Sequence, residues 1–383
     1  MWPEHQRFLV LTPALDGADG ISELSRQVVT TLQTAAGADR VEVWALAGEA
    51  AEAGKAGRAA GFRTARGSRA RIVAWTLARA AHRQDEVTIV VLHVHLAPLA
   101  RVLARRGARV VLFLIGVEVW RRLRSRERHA VESAQGLIAI SRATARRFRE
   151  ANPDLAAVPV SVCLLGIKRR AARTSDADNA SGVRPGFALI VGRLSSEERY
   201  KGHDQLLAVW PAVRRQVPDA RLVIVGDGDD RARLEALAAS AGLSDAVRFA
   251  GRVGDSALAS LYARSAFFVM PSSREGFGLV YLEAMQAGKA CIAAHGAADE
   301  IIDDGVQGLV IDPDAPDQLT AALVRLFSDA GACARMGAAA CARVAADFTD
   351  ASFAARLLST LEAIAQAAPA PESVPAAGEM TSR

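Results

Sequence analysis

Short, uninterrupted runs of Val, Ile and Leu recur along this chain, each followed by an Ala-, Leu- or Arg-rich stretch of helical period. In the first half the runs are RFLVLTP, VEVWAL, TIVVLHVH, RVVLFLIG, GLIAIS and VSVCLLG. In the second half they are FALIVGRL, RLVIVGDG, VRFAGRV, AFFVMPS, KACIAA and GLVIDP. A strand with one face in water alternates apolar and polar residues, whereas a continuous apolar run suits a strand covered on both faces. Between the runs, stretches such as ISELSRQVVTTLQTA, SRATARRFREA and RARLEALAASAG repeat with helical period. Strand and helix in alternation predict an α/β chain with parallel sheets and right-handed crossovers.

The 383 residues, half of them hydrophobic, are ample for two such domains. Lys168 to Gly186 is polar and without period, and reads as a linker. The expected organisation is two doubly wound, Rossmann-like domains over 1–167 and 187–350. A helix over 351–366 would cross back to the first domain, and a Pro/Ala-rich tail over 367–383 is expected to be disordered. Ligands of doubly wound sheets lie beyond the carboxyl ends of the strands, so the cleft between the domains is the expected site.

Composition excludes several classes. There is no run of eighteen apolar residues to suggest a membrane span, and the N-terminus reads as the start of a strand rather than a signal peptide. Cys163, Cys291, Cys333 and Cys341 are scattered with no CxxC pair, which suggests reduced thiols in a cytoplasmic protein and no zinc site. The net charge of +5 hides an asymmetry: residues 1–170 carry 27 Lys/Arg against 15 Asp/Glu, and the remainder 20 against 27. An acidic partner for the first half follows, either nucleic acid or an anionic membrane surface.

The chemistry-bearing stretches sit at strand ends of the second half. In LIVGRLSSEERYKGHDQLL, Arg193 follows a strand and Lys201 precedes a helix; two cations beside free helix N–H groups suit a diphosphate. The plainer reading is two solvated surface cations. VIVGDGDDRARLE places Gly226, Asp227 and Gly228 in a strand-to-helix turn where glycine permits close ligand approach. Val253, in VRFAGRVGDS, follows another strand and exposes backbone that a base edge could pair with, or is an ordinary loop residue. In AFFVMPSSREGFGLVYLEAMQAGKACIAA, Glu275 lies in a loop, and Gly276 and Gly278 can present N–H groups to an anion or a sugar. Glu283 lies about one turn into the helix that follows, so two carboxylates could approach one ligand from different sides.

The pattern S-x-x-E-G-F-G-L-x-x-L-E-A-M-x-x-G resembles the E-x7-E motif of the retaining family 4 glycosyltransferases, which have the GT-B fold. GRLSSEERYKGHDQLL is similar to their Arg…Lys diphosphate motif, and the match is close over roughly 185–365. The resemblance implies that Arg193 and Lys201 hold the donor diphosphate and that Glu275 touches the transferred sugar. Backbone N–H groups of Phe277, Gly278 and Leu279 would lie near sugar and phosphate. Glu283 would bind the ribose, with Gly226–Gly228 and Val253 around the base. It also implies a metal-independent reaction without cofactor, because cations and helix N-termini neutralise the leaving diphosphate.

The first half resembles the family more loosely. Gly20, before a helix, stands at the second of two glycines that usually approach the diphosphate, with Asp19 at the first. RVVLFLIGVEVW is similar to a loop in which Gly116, Glu118 and Trp120 fit, but Ile115 replaces the usual His. Glu118 then becomes the acidic candidate at the acceptor side, beside Gly116, Trp120, His93 and His95. Ser141 reads as a structural helix cap. Arginines around Trp120 and Trp75 suggest an amphipathic basic surface for a membrane, or a solvated face.

Together these features predict a hexosyltransferase at the inner face of the cytoplasmic membrane. The family resemblance implies a nucleotide-sugar donor, with GDP-mannose favoured over UDP-hexose; the acceptor would be a polyprenyl-diphosphate-linked or glycolipid sugar, or a glycan. Competing readings are a GT-B phosphorylase or epimerase and a degenerate sugar-nucleotide binder; no aromatic stacking motif supports nucleic acid.

Overall fold

The computed structural model describes residues 6–17, 19–49, 61–168 and 184–367. The linker expected over 168–186 and the tail over 367–383 fall almost wholly outside the described residues. The first domain holds strands β1 (Arg7–Thr12), β2 (Val41–Ala45), β3 (Gly61–Thr64), β4 (Val87–Val91), β5 (Arg109–Leu114), β6 (Gly136–Ala139) and β7 (Val160–Val162). Its helices are α1 (Gly20–Ala36), α2 (Arg69–Arg79), α3 (Ala97–Ala104), α4 (Ser125–Glu132) and α5 (Arg142–Ala151). The second domain holds β8 (Ala188–Val191), β9 (Leu222–Val225), β10 (Val247–Gly251), β11 (Phe267–Met270), β12 (Cys291–Ala294) and β13 (Gly308–Ile311). Between these strands run α6 (His203–Gln216), α7 (Arg231–Ser240), α8 (Asp255–Arg264) and α9 (Leu279–Gln286), followed by α10 (Pro316–Ser328), α11 (Ala330–Asp347) and α12 (Asp350–Ala367).

The first sheet has the order β3-β2-β1-β4-β5-β6-β7 and the second β10-β9-β8-β11-β12-β13. Every pairing is parallel. Both sheets reverse direction beside their first strand, which creates a switch point and a crevice at the carboxyl ends. The continuous apolar runs are explained by coverage of both faces. In β1, Phe8 and Val10 face α1, while Leu9 and Leu11 face the side of Ile72 in α2 and Leu103 in α3.

Each of the twelve apolar runs contains a strand; β3 was missed because GFRT is short, at the edge, and holds one large apolar residue. The run TIVVLHVH is strand only to Val91, and His93 instead caps a 3-10 turn over Val94–Leu96. The two histidines therefore do not alternate along a strand.

After β13 the chain returns to the first domain. Ile167 N–H donates to the Phe348 carbonyl at 2.8 Å, and Arg356 in α12 donates to the Leu164 carbonyl at 2.9 and 3.1 Å. Phe353, Leu357 and Leu361 are buried there, and a side chain at Gly136 would meet Ile364 at 2.9 Å. Full burial of each such side chain contributes about 1.5–3 kcal/mol, more than an exposed ion pair.

Candidate active site

The loop after β8 carries the two candidate cations, and it is fastened from below. Ser196 N–H donates to Asp229 at 3.1 Å, and Arg199 reaches the buried Asp230 at 3.0 and 3.3 Å. Bonds from Arg233 and Arg199 push the Asp230 carboxyl down to about 2. Arg199 is thus committed to the scaffold. Arg193 pairs with Glu198, and Lys201 Nζ lies 3.7 Å from Glu198 and 3.7 Å from Glu275. The Lys201 side chain is only 17% exposed against 69% for Arg193. Glu198 went unrecognised in the sequence; its signal was an acidic pair lodged between the cations.

The Gly226–Gly228 turn packs closely on the loop that carries Arg193. Gly226 has φ +137°, and a side chain there would run into the Gly192 carbonyl; one at Gly228 would run into the Leu194 carbonyl. Leu194 N–H donates to the Asp227 carbonyl at 3.0 Å. The glycines let this turn lie against the Arg193 strand end, and Asp227 faces Arg231 at 3.7 Å. Val253 packs, half-buried, against the core of its domain.

After β11, Ser272 is buried and its hydroxyl donates to Glu275 Oε1 at 3.1 Å. Gly278, at φ +97°, forms the N-cap of α9, and no side chain caps the helix. Its leading N–H groups are therefore available to an anion. Phe277 is buried near Phe348, so its side chain is core and only its backbone can serve a ligand. Glu283, in α9, accepts a hydrogen bond from the Tyr262 hydroxyl at 3.1 Å. That partner was unmarked in the sequence because Tyr262 lies on another helix.

The first domain meets this loop. A carbon added to Gly20 would sit 3.7 Å from Leu279, while one added to Gly276 would run into the Ile115 carbonyl. Asp19 caps α1, accepting from Ile21 N–H at 3.0 Å and Ser22 N–H at 2.9 Å. Glu118 Oε1 accepts from the N–H groups of Ile115 and Gly116, both at 3.0 Å, and so fixes its own loop. Trp120 lies under Arg147, whose guanidinium is 4.4 Å from the ring centre. His93 and His95 have ring centres 4.7 Å apart, and burial lowers the His93 pKa against the pull of Glu118. His95 lies 3.5 Å from Glu127. Burial opposes charge on Glu127, but bonds from Arg121 and the Arg124 N–H outweigh it and hold its pKa below the usual range.

A cavity of about 860 Å³ lies elsewhere, at the amino ends of β9 and β10. It includes none of these residues.

Residues 172–343 match the family model of glycosyl transferases group 1. Over 261 residues the chain is 33% identical to the GDP-mannose-dependent alpha-(1-6)-phosphatidylinositol monomannoside mannosyltransferase of Mycolicibacterium smegmatis, spanning 64% of this chain and 67% of that one. The chain belongs to the group 1 glycosyltransferases. This glycosyltransferase is also 33% identical over 231 residues to the glycogen synthase of Mycobacterium tuberculosis, spanning 58% of this chain and 54% of that one. Its fold is GT-B. Anabaena HepE in complex with UDP superposes with a TM-score of 0.76 at 22% identity, covering 94% of this chain and 100% of that one. Sucrose-phosphate synthase from Thermosynechococcus elongatus superposes at 0.74 and 19% identity, covering 95% and 100%. Among the described residues no helix of this glycosyltransferase is long and apolar enough to cross a membrane, and no group of three or more His, Cys, Asp or Glu could hold a metal ion.

Proposed function

We propose that this glycosyltransferase transfers a hexose, with mannose favoured, from a nucleotide-diphosphate sugar to a lipid-linked or glycan acceptor with retained configuration, as in family 4. The observation that carries the reading is Lys201, largely shielded from water between Glu198 and Glu275, next to the uncapped N-terminus of α6 and paired with the carboxylate three residues ahead of the uncapped N-cap of α9. As the bond from sugar to phosphate lengthens, charge grows on the leaving diphosphate. A shielded ammonium and helix N–H groups stabilise that charge without reorganising, and they do so without a metal ion. Glu275 would hold the transferred sugar and Glu283, oriented by Tyr262, the ribose. Gly20 would approach the diphosphate from the other domain. The preference for GDP-mannose rests on the mycobacterial relative's activity.

The acceptor would come from a membrane surface at the cytoplasmic side. In α2, Val73 is 41% and Leu77 60% exposed, one turn apart, with exposed Arg66, Arg69 and Arg71 nearby. An apolar stripe with cations beside it suits an anionic interface. Trp75 is not part of that stripe, because it packs on buried Trp44 with ring centres 5.9 Å apart.

The test offers radiolabelled GDP-mannose and UDP-glucose with vesicles bearing a phosphatidylinositol-linked or polyprenyl-diphosphate-linked sugar. Label from GDP-mannose should appear in the lipid fraction. Transfer from UDP-glucose alone would replace mannose with glucose in this reading, and transfer from neither donor would sink it.

A further inference from the structure

Helix α5 belongs to the first domain, yet its N-cap residue and two of its own side chains hold the second-domain loop that carries Glu275. Ser141, Thr144 and Arg147 follow at three-residue spacing and so share one side of the helix. The Ser141 hydroxyl donates to the Gly276 carbonyl at 2.7 Å, and the Thr144 hydroxyl donates to the same oxygen at 3.2 Å. Both lone pairs of that carbonyl are thereby used. Arg147, stacked on Trp120, donates to the Ser273 carbonyl at 3.3 Å. The two gripped carbonyls flank Glu275 in the chain. From the other side, Glu300 accepts from the Ala143 N–H at 3.1 Å and so occupies the N-terminus of α5.

The peptide geometry gives this grip a consequence. A trans peptide points its C=O and N–H in opposite directions, and none of the peptide bonds among the described residues is cis. Fixing the Gly276 carbonyl on α5 therefore fixes the direction of the Phe277 N–H, one of the groups assigned to the donor. Ser141 does two things with one hydroxyl, since it also accepts from Thr144 N–H at 3.0 Å as the cap of α5. The cap was legible in the sequence. The donation across the domains was not, because Gly276 lies 135 residues away.

We propose that Ser141, Thr144 and Arg147 are positioning residues for sugar transfer, setting Glu275 and the Phe277 peptide from the opposite domain. The proposal rests on the reading of Glu275 as the residue at the transferred sugar. A donor held by Arg193, Lys201 and Glu283 binds without α5; its turnover requires α5 in place.

The experiment compares wild type with Thr144→Val, Ser141→Ala, the double variant and Ser141→Thr. GDP affinity is measured by calorimetry. GDP release from GDP-mannose is measured with and without the sugar-lipid vesicles and normalised to GDP-binding sites. The double variant should lose about tenfold or more in kcat, with GDP affinity and donor KM within about twofold of wild type. Ser141→Thr, which keeps both the cap and the donor, should restore the rate. Hydrogen exchange over residues 273–279 should quicken in the double variant whatever the acceptor.

If the double variant fails to fold, Thr144→Val decides, because it leaves the cap intact. Unchanged kcat per binding site would overturn the proposal, and so would parallel loss of kcat and GDP affinity. A wild type that binds GDP but releases none from GDP-mannose would instead overturn the functional reading, and unchanged exchange over 273–279 would overturn the grip itself.

Discussion

The two domains share one strand order, to which the first adds a seventh edge strand, and differ in what fills the helix N-termini at the cleft. At the start of α1 the Asp19 carboxylate accepts two backbone N–H groups. At the starts of α6 and α9 stand Gly202 and Gly278, both left-handed, and neither helix has a side-chain cap. A capped end has satisfied its own dipole, while an uncapped end beside Lys201 favours an anion from outside. The same fold thus yields a closed helix end facing the cleft from one side and open ends facing it from the other. Under the proposed function, the donor's charge falls to the second domain, and the first supplies shape and position.

The largest effect that would test this comparison is expected at Glu275. Glu275→Ala should lower transfer by about 10²-fold or more while melting behaviour stays near wild type; transfer near the original rate would remove Glu275 from the chemistry. Lys201→Ala should come next. At roughly 4 Å in a partly shielded site the gross Coulomb energy of a charge pair is about 4 kcal/mol, which desolvation of the two charges cuts to about 3 kcal/mol, whereas an exposed pair gives about 0.2–1 kcal/mol. Nucleotide-diphosphate affinity should therefore fall by about 10²-fold for Lys201→Ala and at most about fivefold for Arg193→Ala, read by calorimetry. Equal losses would show that exposure does not rank the two cations.

His203 tests the open end of α6 by pH. It is buried at that N-terminus, and burial, with Lys201 beside it, pushes its pKa down to about 4. An unfolded chain takes up the proton nearer 6.5. Between those values the unfolded state binds more protons, so stability falls as pH drops from 6.5 to 4 and is level above. The loss has a ceiling of about 3 kcal/mol at 1.36 kcal/mol per pH unit. His203→Gln should lose less stability over that window in denaturant melts, and an identical pH profile would show that His203 is not the group responsible.

The smallest effect should come from the closed end. Asp19→Ala should cost about 1 kcal/mol of stability and Asp19→Gly only a few tenths, with GDP affinity unchanged in both. A change in GDP affinity would place donor charge on the first domain after all.

The strands were legible because parallel sheets covered on both faces demand unbroken apolar runs, and β3 escaped because an edge strand need not carry one. The second-domain motif residues were legible because glycines and charges cluster at strand ends. What their side chains meet was not. The glycines of the Gly226–Gly228 turn make room for the Gly192 and Leu194 carbonyls, and Gly276 makes room for Ile115 of the other domain. A close backbone approach and a ligand's approach leave the same glycine in the sequence. Glu118 and Trp120 were likewise visible as residues, but the Ile115 and Gly116 N–H groups and the Arg147 guanidinium that engage them are set by three-dimensional packing.

The most direct measurement is calorimetric titration of GDP, UDP and ADP into the wild type and Lys201→Ala without added metal. The account predicts saturable binding of a nucleoside diphosphate, GDP the tightest, weakened about 10²-fold in the variant. Binding of none of the three, or binding that Lys201→Ala leaves unchanged, would contradict it.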